Sequence, residues 1–123
     1  IAMHSKFCSK FLKCPPFDSD NFAQYLLDIA EEYKLENWLL LPSNDHAAYS
    51  LSKHQDRLIK YYKMITPELS VMDDIYDKVR LIELSEKIEV PSPKTYHFST
   101  TDKNEIKNIK FPVLTKGRNG LIF

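Results

Sequence analysis

Trp38-Leu39-Leu40-Leu41-Pro42, followed at once by Ser43-Asn44-Asp45, is the stretch on which the fold turns. Its apolar run is short and continuous, not alternating. That pattern predicts a strand buried on both faces, as in a parallel sheet. Ser43-Asn44-Asp45 supplies loop and capping residues, with Asp45 read as a cap. A helix then runs to about Tyr61 through Ala47, Leu51 and Leu58. Upstream, Phe22, Tyr25, Leu26, Ile29, Ala30 and Tyr33 recur at helical spacing and predict a helix over 20–34, capped by Asp18 or Asp20. Helix, buried strand, polar loop and helix together give an α/β arrangement. In such sheets ligands sit beyond the carboxyl ends of the strands.

The pattern changes after Tyr62-Lys63-Met64-Ile65-Thr66-Pro67. Ser70 and Asp73 have capping-box spacing for a short helix. Asp77 opens another, with Leu81, Leu84, Ser85 and Ile88 on one face, and Val90-Pro91-Ser92-Pro93 ends it. Strands are expected at 95–99 and 111–115, with a short helix over 102–109 between them. The change divides the chain into residues 1–68 and 69–123.

Lys+Arg and Asp+Glu each number 17, so charge gives no case for bulk binding to nucleic acid or an anionic membrane. The apolar runs are far short of a bilayer span. Cys8 and Cys14 are expected as reduced thiols in a cytoplasmic protein. His4, His46, His54 and His97 are dispersed, and His54 reads as packed or capping rather than catalytic. The chain begins at Ile1 and stops at Phe123, three residues past a glycine-bearing loop, and is read as a piece of a larger protein.

That loop holds both glycines of the chain, Gly117 and Gly120, where ordinary usage would give roughly nine. They follow Lys116 at the end of Phe111-Pro112-Val113-Leu114-Thr115. A lysine running into a bare, flexible backbone suits an anion such as phosphate. Arg118 is either a helper or a surface charge. Lys78 is also oddly placed, in the first turn of a helix, where the dipole end is already positive. Either a bound phosphate offsets that cost, or Asp77 and Asp74 neutralise the lysine. The usual phosphate-binding glycine motifs are missing.

The ordered set resembles the ATP-grasp superfamily, particularly carboxylate–amine ligases similar to the carbamoyl phosphate synthase large subunit. It comprises Leu39–Asp45, Ser52–Leu58, Asp77-Lys78, Val90–Thr95 and Phe111–Lys116 running into the glycines. His4-Ser5-Lys6-Phe7-Cys8 also resembles the segment leaving the second strand of a pre-ATP-grasp domain. The resemblance implies an incomplete Rossmann-like pre-ATP-grasp domain over 1–68 and the start of an ATP-grasp nucleotide-binding domain over 69–123. It implies that Lys78 and Lys116 contact ATP phosphates, with Gly117, Arg118 and Gly120 in the loop that closes over them. The implied reaction uses ATP and magnesium to activate a carboxylate for attack by an amine, with the metal ligands beyond this chain. Alone, this segment would then hold neither metal nor a complete nucleotide site. Small-molecule carboxylate and amine substrates, and a possible homodimer, are the implied partners. Thr115 stands where the family carries an aliphatic residue. The alternatives are a non-catalytic nucleotide-binding or interaction module that keeps the same fold without turnover, and an unrelated small α/β interaction domain in which both lysines are surface charges.

Overall fold

The computed structural model describes residues 2–96 and 103–118. The chain is mixed α/β and divides into two compact units, Ile1–Leu69 and Ser70–Phe123.

In the first unit a 3-10 turn, Ala2–His4, is followed by helix α1 (Asn21–Tyr33), strand β1 (Trp38–Leu40), helices α2 (Asp45–Lys53) and α3 (Gln55–Leu58), and strand β2 (Tyr62–Met64). The helical spacing read from α1 is what packs it. Phe22, Leu26 and Ala30 face inward and meet Leu51 of α2, Leu58 of α3 and Tyr62 of β2. Leu58 is fully buried. The Tyr62 hydroxyl donates to the Leu26 carbonyl at 2.8 Å, so the core's buried phenol has a partner. Phe17 packs edge-on against Phe22 at 5.3 Å and adds to the cluster from outside.

The cap of α1 is not an aspartate. Asp20 has helical dihedrals and makes no side-chain capping bond. Ser19 takes that role, its hydroxyl accepting from the Asn21 N–H and its carbonyl from the Phe22 N–H. The helix stops at Lys34, which is left-handed (φ 53) and donates its N–H to the Ala30 carbonyl.

β1 pairs in parallel with β2, Trp38 opposite Tyr62, Leu39 opposite Lys63 and Leu40 opposite Met64. The first unit differs from the sequence reading in three respects. β1 is not buried on both faces: Trp38 is 63% and Leu39 54% exposed. Among the described residues the sheet has two strands, so few side chains are available to cover it. β2 itself, at Tyr62-Lys63-Met64, is an unpredicted strand that exists by virtue of its partner. The single helix to Tyr61 is two helices joined at His54, whose backbone (φ −114, ψ 18) leaves the helical region. His54 connects them by donating to the Ser50 and Leu51 carbonyls and accepting from the Arg57 and Leu58 N–H groups. Burial, then the neighbouring Lys53 and Arg57, lowers its imidazole pKa.

In the second unit the elements are α4 (Leu69–Tyr76, its first residue closing the first unit), α5 (Lys78–Lys87) and α6 (Lys103–Lys107). α4 begins one residue before Ser70, so Ser70 is already helical and cannot hold the extended geometry of a cap. Met72 is its buried residue, and α5 buries none. The face carrying Leu81, Leu84, Ser85 and Ile88 leaves Leu81 and Ile88 exposed. The helix ends at Lys87, ahead of the prolines, because Glu89 turns left-handed (φ 57). Thr95 and Tyr96 lie in no strand, and the rest of the strand expected over 95–99 lies outside the described residues, as does Asp102. Residues 111–115 form no strand either. Phe111 and Leu114 are each 80% exposed, with no pairing strand among the described residues to satisfy their backbone. A β-rich sequence becomes a strand only when its N–H and C=O groups find a ladder.

Candidate functional site at the amino end of α5

Asp77 is extended (φ −83, ψ 109) and precedes the first turn of α5, where a short polar side chain can turn back onto the helix. Its two carboxylate oxygens do different things. Oδ1 accepts from the Val79 N–H at 2.9 Å and the Arg80 N–H at 3.4 Å. Oδ2 accepts from Arg118, 41 positions away, at 2.7 Å from Nε and 2.6 Å from Nη2. A second bond runs alongside: the Lys78 N–H donates to the Arg118 carbonyl at 3.2 Å. The loop that carries Lys116 and Gly117 is therefore tied to the start of α5 through backbone and side chain together.

This arrangement fixes what the helix terminus can offer. A helix begins with N–H groups that lack intrahelical partners. Here the Lys78, Val79 and Arg80 N–H groups are taken by Arg118 and Asp77. An anion at this end would meet side chains, not free amides. Arg118 holds Asp77 below its ordinary carboxylate pKa of 3.8, the Val79 and Arg80 amides adding to the effect and burial opposing it.

Of the five positions singled out in the sequence, Lys78 is the half-buried first residue of α5. Lys116 is exposed, Gly117 half-buried, and Gly120 lies outside the described residues. Arg118 has its side chain 63% exposed. Among the described residues neither Lys78 nor Lys116 enters an ion pair, and the Asp77 carboxylate is engaged by Arg118. Arg118 is thus brought to Lys78 through the backbone, whereas the Lys116 ammonium group has no ion-pair partner among the described residues. Asp77, expected as a cap and as a neutraliser of Lys78, caps α5 and pairs with Arg118 instead of Lys78. Its pairing with Arg118 had no signal in the sequence beyond opposite charge.

The described residues hold no group of three or more His, Cys, Asp or Glu side chains disposed to bind a metal. Cys8 and Cys14 are free thiols. No described helix is long and apolar enough to cross a membrane.

No protein-family model matches the chain, and no solved structure matches it. Among curated proteins it is similar to D-aspartate ligase of Enterococcus faecium (strain Aus0004), 31% identical over 85 residues. The match takes in 66% of this chain and 20% of that protein, so the chain spans about a fifth of the length of the curated relative it matches.

Proposed function

We propose that the chain is the amino-terminal part of an ATP-dependent carboxylate–amine ligase of the ATP-grasp type, with its phosphate-binding side chains in the second unit. The observation that carries this reading is the meeting of the Asp77-Lys78 helix start with the lysine–glycine loop at Arg118. The similarity to D-aspartate ligase across 66% of the chain supports it independently.

In this reading Lys78 and Lys116 supply point charges to the phosphates of ATP. Arg118 adds directed donors: five N–H bonds radiate from a guanidinium, two reach Asp77 Oδ2, and three remain for phosphate oxygens. Gly117 and Gly120 let the loop backbone approach the nucleotide. These groups fit a polyanion, because among the described residues two ammonium side chains enter no ion pair and the outer edge of a guanidinium is turned from its carboxylate.

The reaction is phosphoryl transfer followed by acyl transfer. A substrate carboxylate oxygen attacks the γ-phosphorus, and the bond to the β–γ bridging oxygen breaks, releasing ADP. An amine nitrogen then attacks the acyl carbon, phosphate leaves with the C–O bond electrons, and the nitrogen loses a proton. Negative charge gathers on phosphoryl oxygens, so fixed cations are the main contribution this chain can make. Magnesium supplies charge neutralisation in such chemistry. The described residues hold no group of three or more carboxylate, imidazole or thiol side chains for it, and its ligands would come from beyond this chain. Cytoplasmic location and homodimerisation are part of the same proposal.

Titration calorimetry of the full-length protein with Mg·ATP tests the reading. Lys116→Ala should weaken binding by about tenfold to a hundredfold, the worth of a charge-assisted contact. Unchanged affinity would refute the assignment.

A further inference from the structure

Asp77 uses both oxygens at once, and their partners belong to different segments. Oδ1 faces the Val79 and Arg80 amides of α5. Oδ2 faces the Nε and Nη2 edge of Arg118. The Arg118 carbonyl returns to the Lys78 N–H, so the loop and helix are joined on both sides of one residue. Capping alone needs one oxygen. The second oxygen has a separate consequence, because the guanidinium it holds is two residues beyond Lys116 and its carbonyl is bonded to the backbone of Lys78.

We propose that Asp77 is a positioning residue that, through Arg118, anchors the lysine–glycine loop at the amino end of α5 so that Lys116 and Lys78 address the same phosphates. The inference rests on the nucleotide-binding reading above and goes beyond it by assigning a role to a residue that need not touch the nucleotide. Arg118 is held twice: its carbonyl accepts from the Lys78 N–H, and its Nε and Nη2 edge is fixed by Asp77, which directs the opposite edge of the plane away from the carboxylate. A guanidinium held in this way loses less freedom on meeting a phosphate than one free in solvent.

The two oxygens can be separated experimentally. Asp77→Asn keeps an Oδ1 acceptor for the helix amides, since asparagine caps as well as aspartate. It places a donor NH2 and no charge against Arg118. Asp77→Ala removes both functions. Full-length protein is titrated with Mg·ATP for the wild type, Asp77→Asn, Arg118→Ala, Arg118→Lys, the Asn/Ala double variant and Lys116→Ala. Exchange of the Lys78 amide proton is followed by NMR without nucleotide.

The expected result is that Asp77→Asn and Arg118→Ala each weaken Mg·ATP binding about tenfold. The double variant should be no weaker than the poorer single one, because residues acting through one contact are not additive. Lys78 amide exchange should quicken in both single variants, and Arg118→Lys should recover part of the affinity. Wild-type affinity in Asp77→Asn overturns the proposal and leaves Asp77 as a cap, as does strict additivity in the double variant. Faster Lys78 exchange with unaltered affinity also overturns it. If Lys116→Ala binds like the wild type, the nucleotide reading fails and the positioning role falls with it. A loss confined to Lys116→Ala removes the positioning role alone. Should Asp77→Asn not fold, Arg118→Ala on the exposed side chain, set against Arg118→Lys, decides between the same outcomes.

Discussion

The two units are held by different physics. The first places Phe22, Leu26, Ala30, Leu51, Leu58 and Tyr62 in one apolar cluster, with a parallel strand pair beside it. The second buries Met72 among its described residues and nothing from α5, and its two segments are joined by an ion pair and hydrogen bonds at Asp77. Apolar burial contributes in proportion to the area removed from water and carries no charge for salt to screen or acid to titrate. A half-exposed charge pair contributes little to stability, yet it specifies geometry. The part of the chain that folds most firmly is therefore not the part that carries the proposed anion site. That division suits a loop which must admit a ligand, since binding segments come from the low-stability end of a structure.

Amide exchange should break or establish this contrast most directly. Amides in the cluster, such as Leu26 and Ala30, should exchange more slowly than those of Leu84 or Ser85 by on the order of a hundredfold or more. Equal protection in the two units would remove the distinction. Next in size is Leu58→Ala, which empties a fully buried site and should cost about 2 to 5 kcal/mol in denaturant unfolding. A cost near that of an exposed leucine would show that the cluster is not packed as described.

Tyr62→Phe keeps the ring and removes the hydroxyl bonded to Leu26, and about 1 kcal/mol should be lost. In the second unit Asp77→Ala should lower the helicity of α5 by about 1 kcal/mol of cap energy, with Asp77→Asn close to the wild type in helicity. The pH dependence has a definite sign. The Asp77 carboxylate is depressed in the folded state, so its contribution is complete above its ordinary value of 3.8 and is lost as pH falls through the lower, folded value. Carboxyl titration by NMR should show this midpoint rise towards the ordinary value in Arg118→Ala. Smallest of all should be Tyr61→Phe. Its hydroxyl donates to Glu31 at 2.7 Å on the surface, and its loss should leave the denaturant midpoint close to that of the wild type.

How much of this was legible in the chain depends on distance along it. α1 is readable because its inward residues repeat every turn, and a periodicity of that kind is written entirely in local sequence. The cap at Asp77 is readable for the same reason, the acceptor lying two and three residues from its donors. The strand β2 was not readable. Tyr62-Lys63-Met64 is no more strand-like than its neighbours, and it becomes one by pairing with Trp38-Leu39-Leu40. Phe111–Thr115 errs in the opposite direction, since strand-forming residues there lack a ladder among the described residues.

Within the proposed site the same rule holds. Lys78 stood out as a cation at a helix start, and Lys116 as a cation before the glycines, each by its own surroundings. That the first amides of α5 are already occupied, and that Asp77 answers Arg118 rather than Lys78, are facts of tertiary structure. Helix periodicity and capping are settled by neighbours a turn away, so residue order determines them. Strand partners and ion pairs are settled by which distant groups the folded chain brings within a few ångströms, and only the fold decides that.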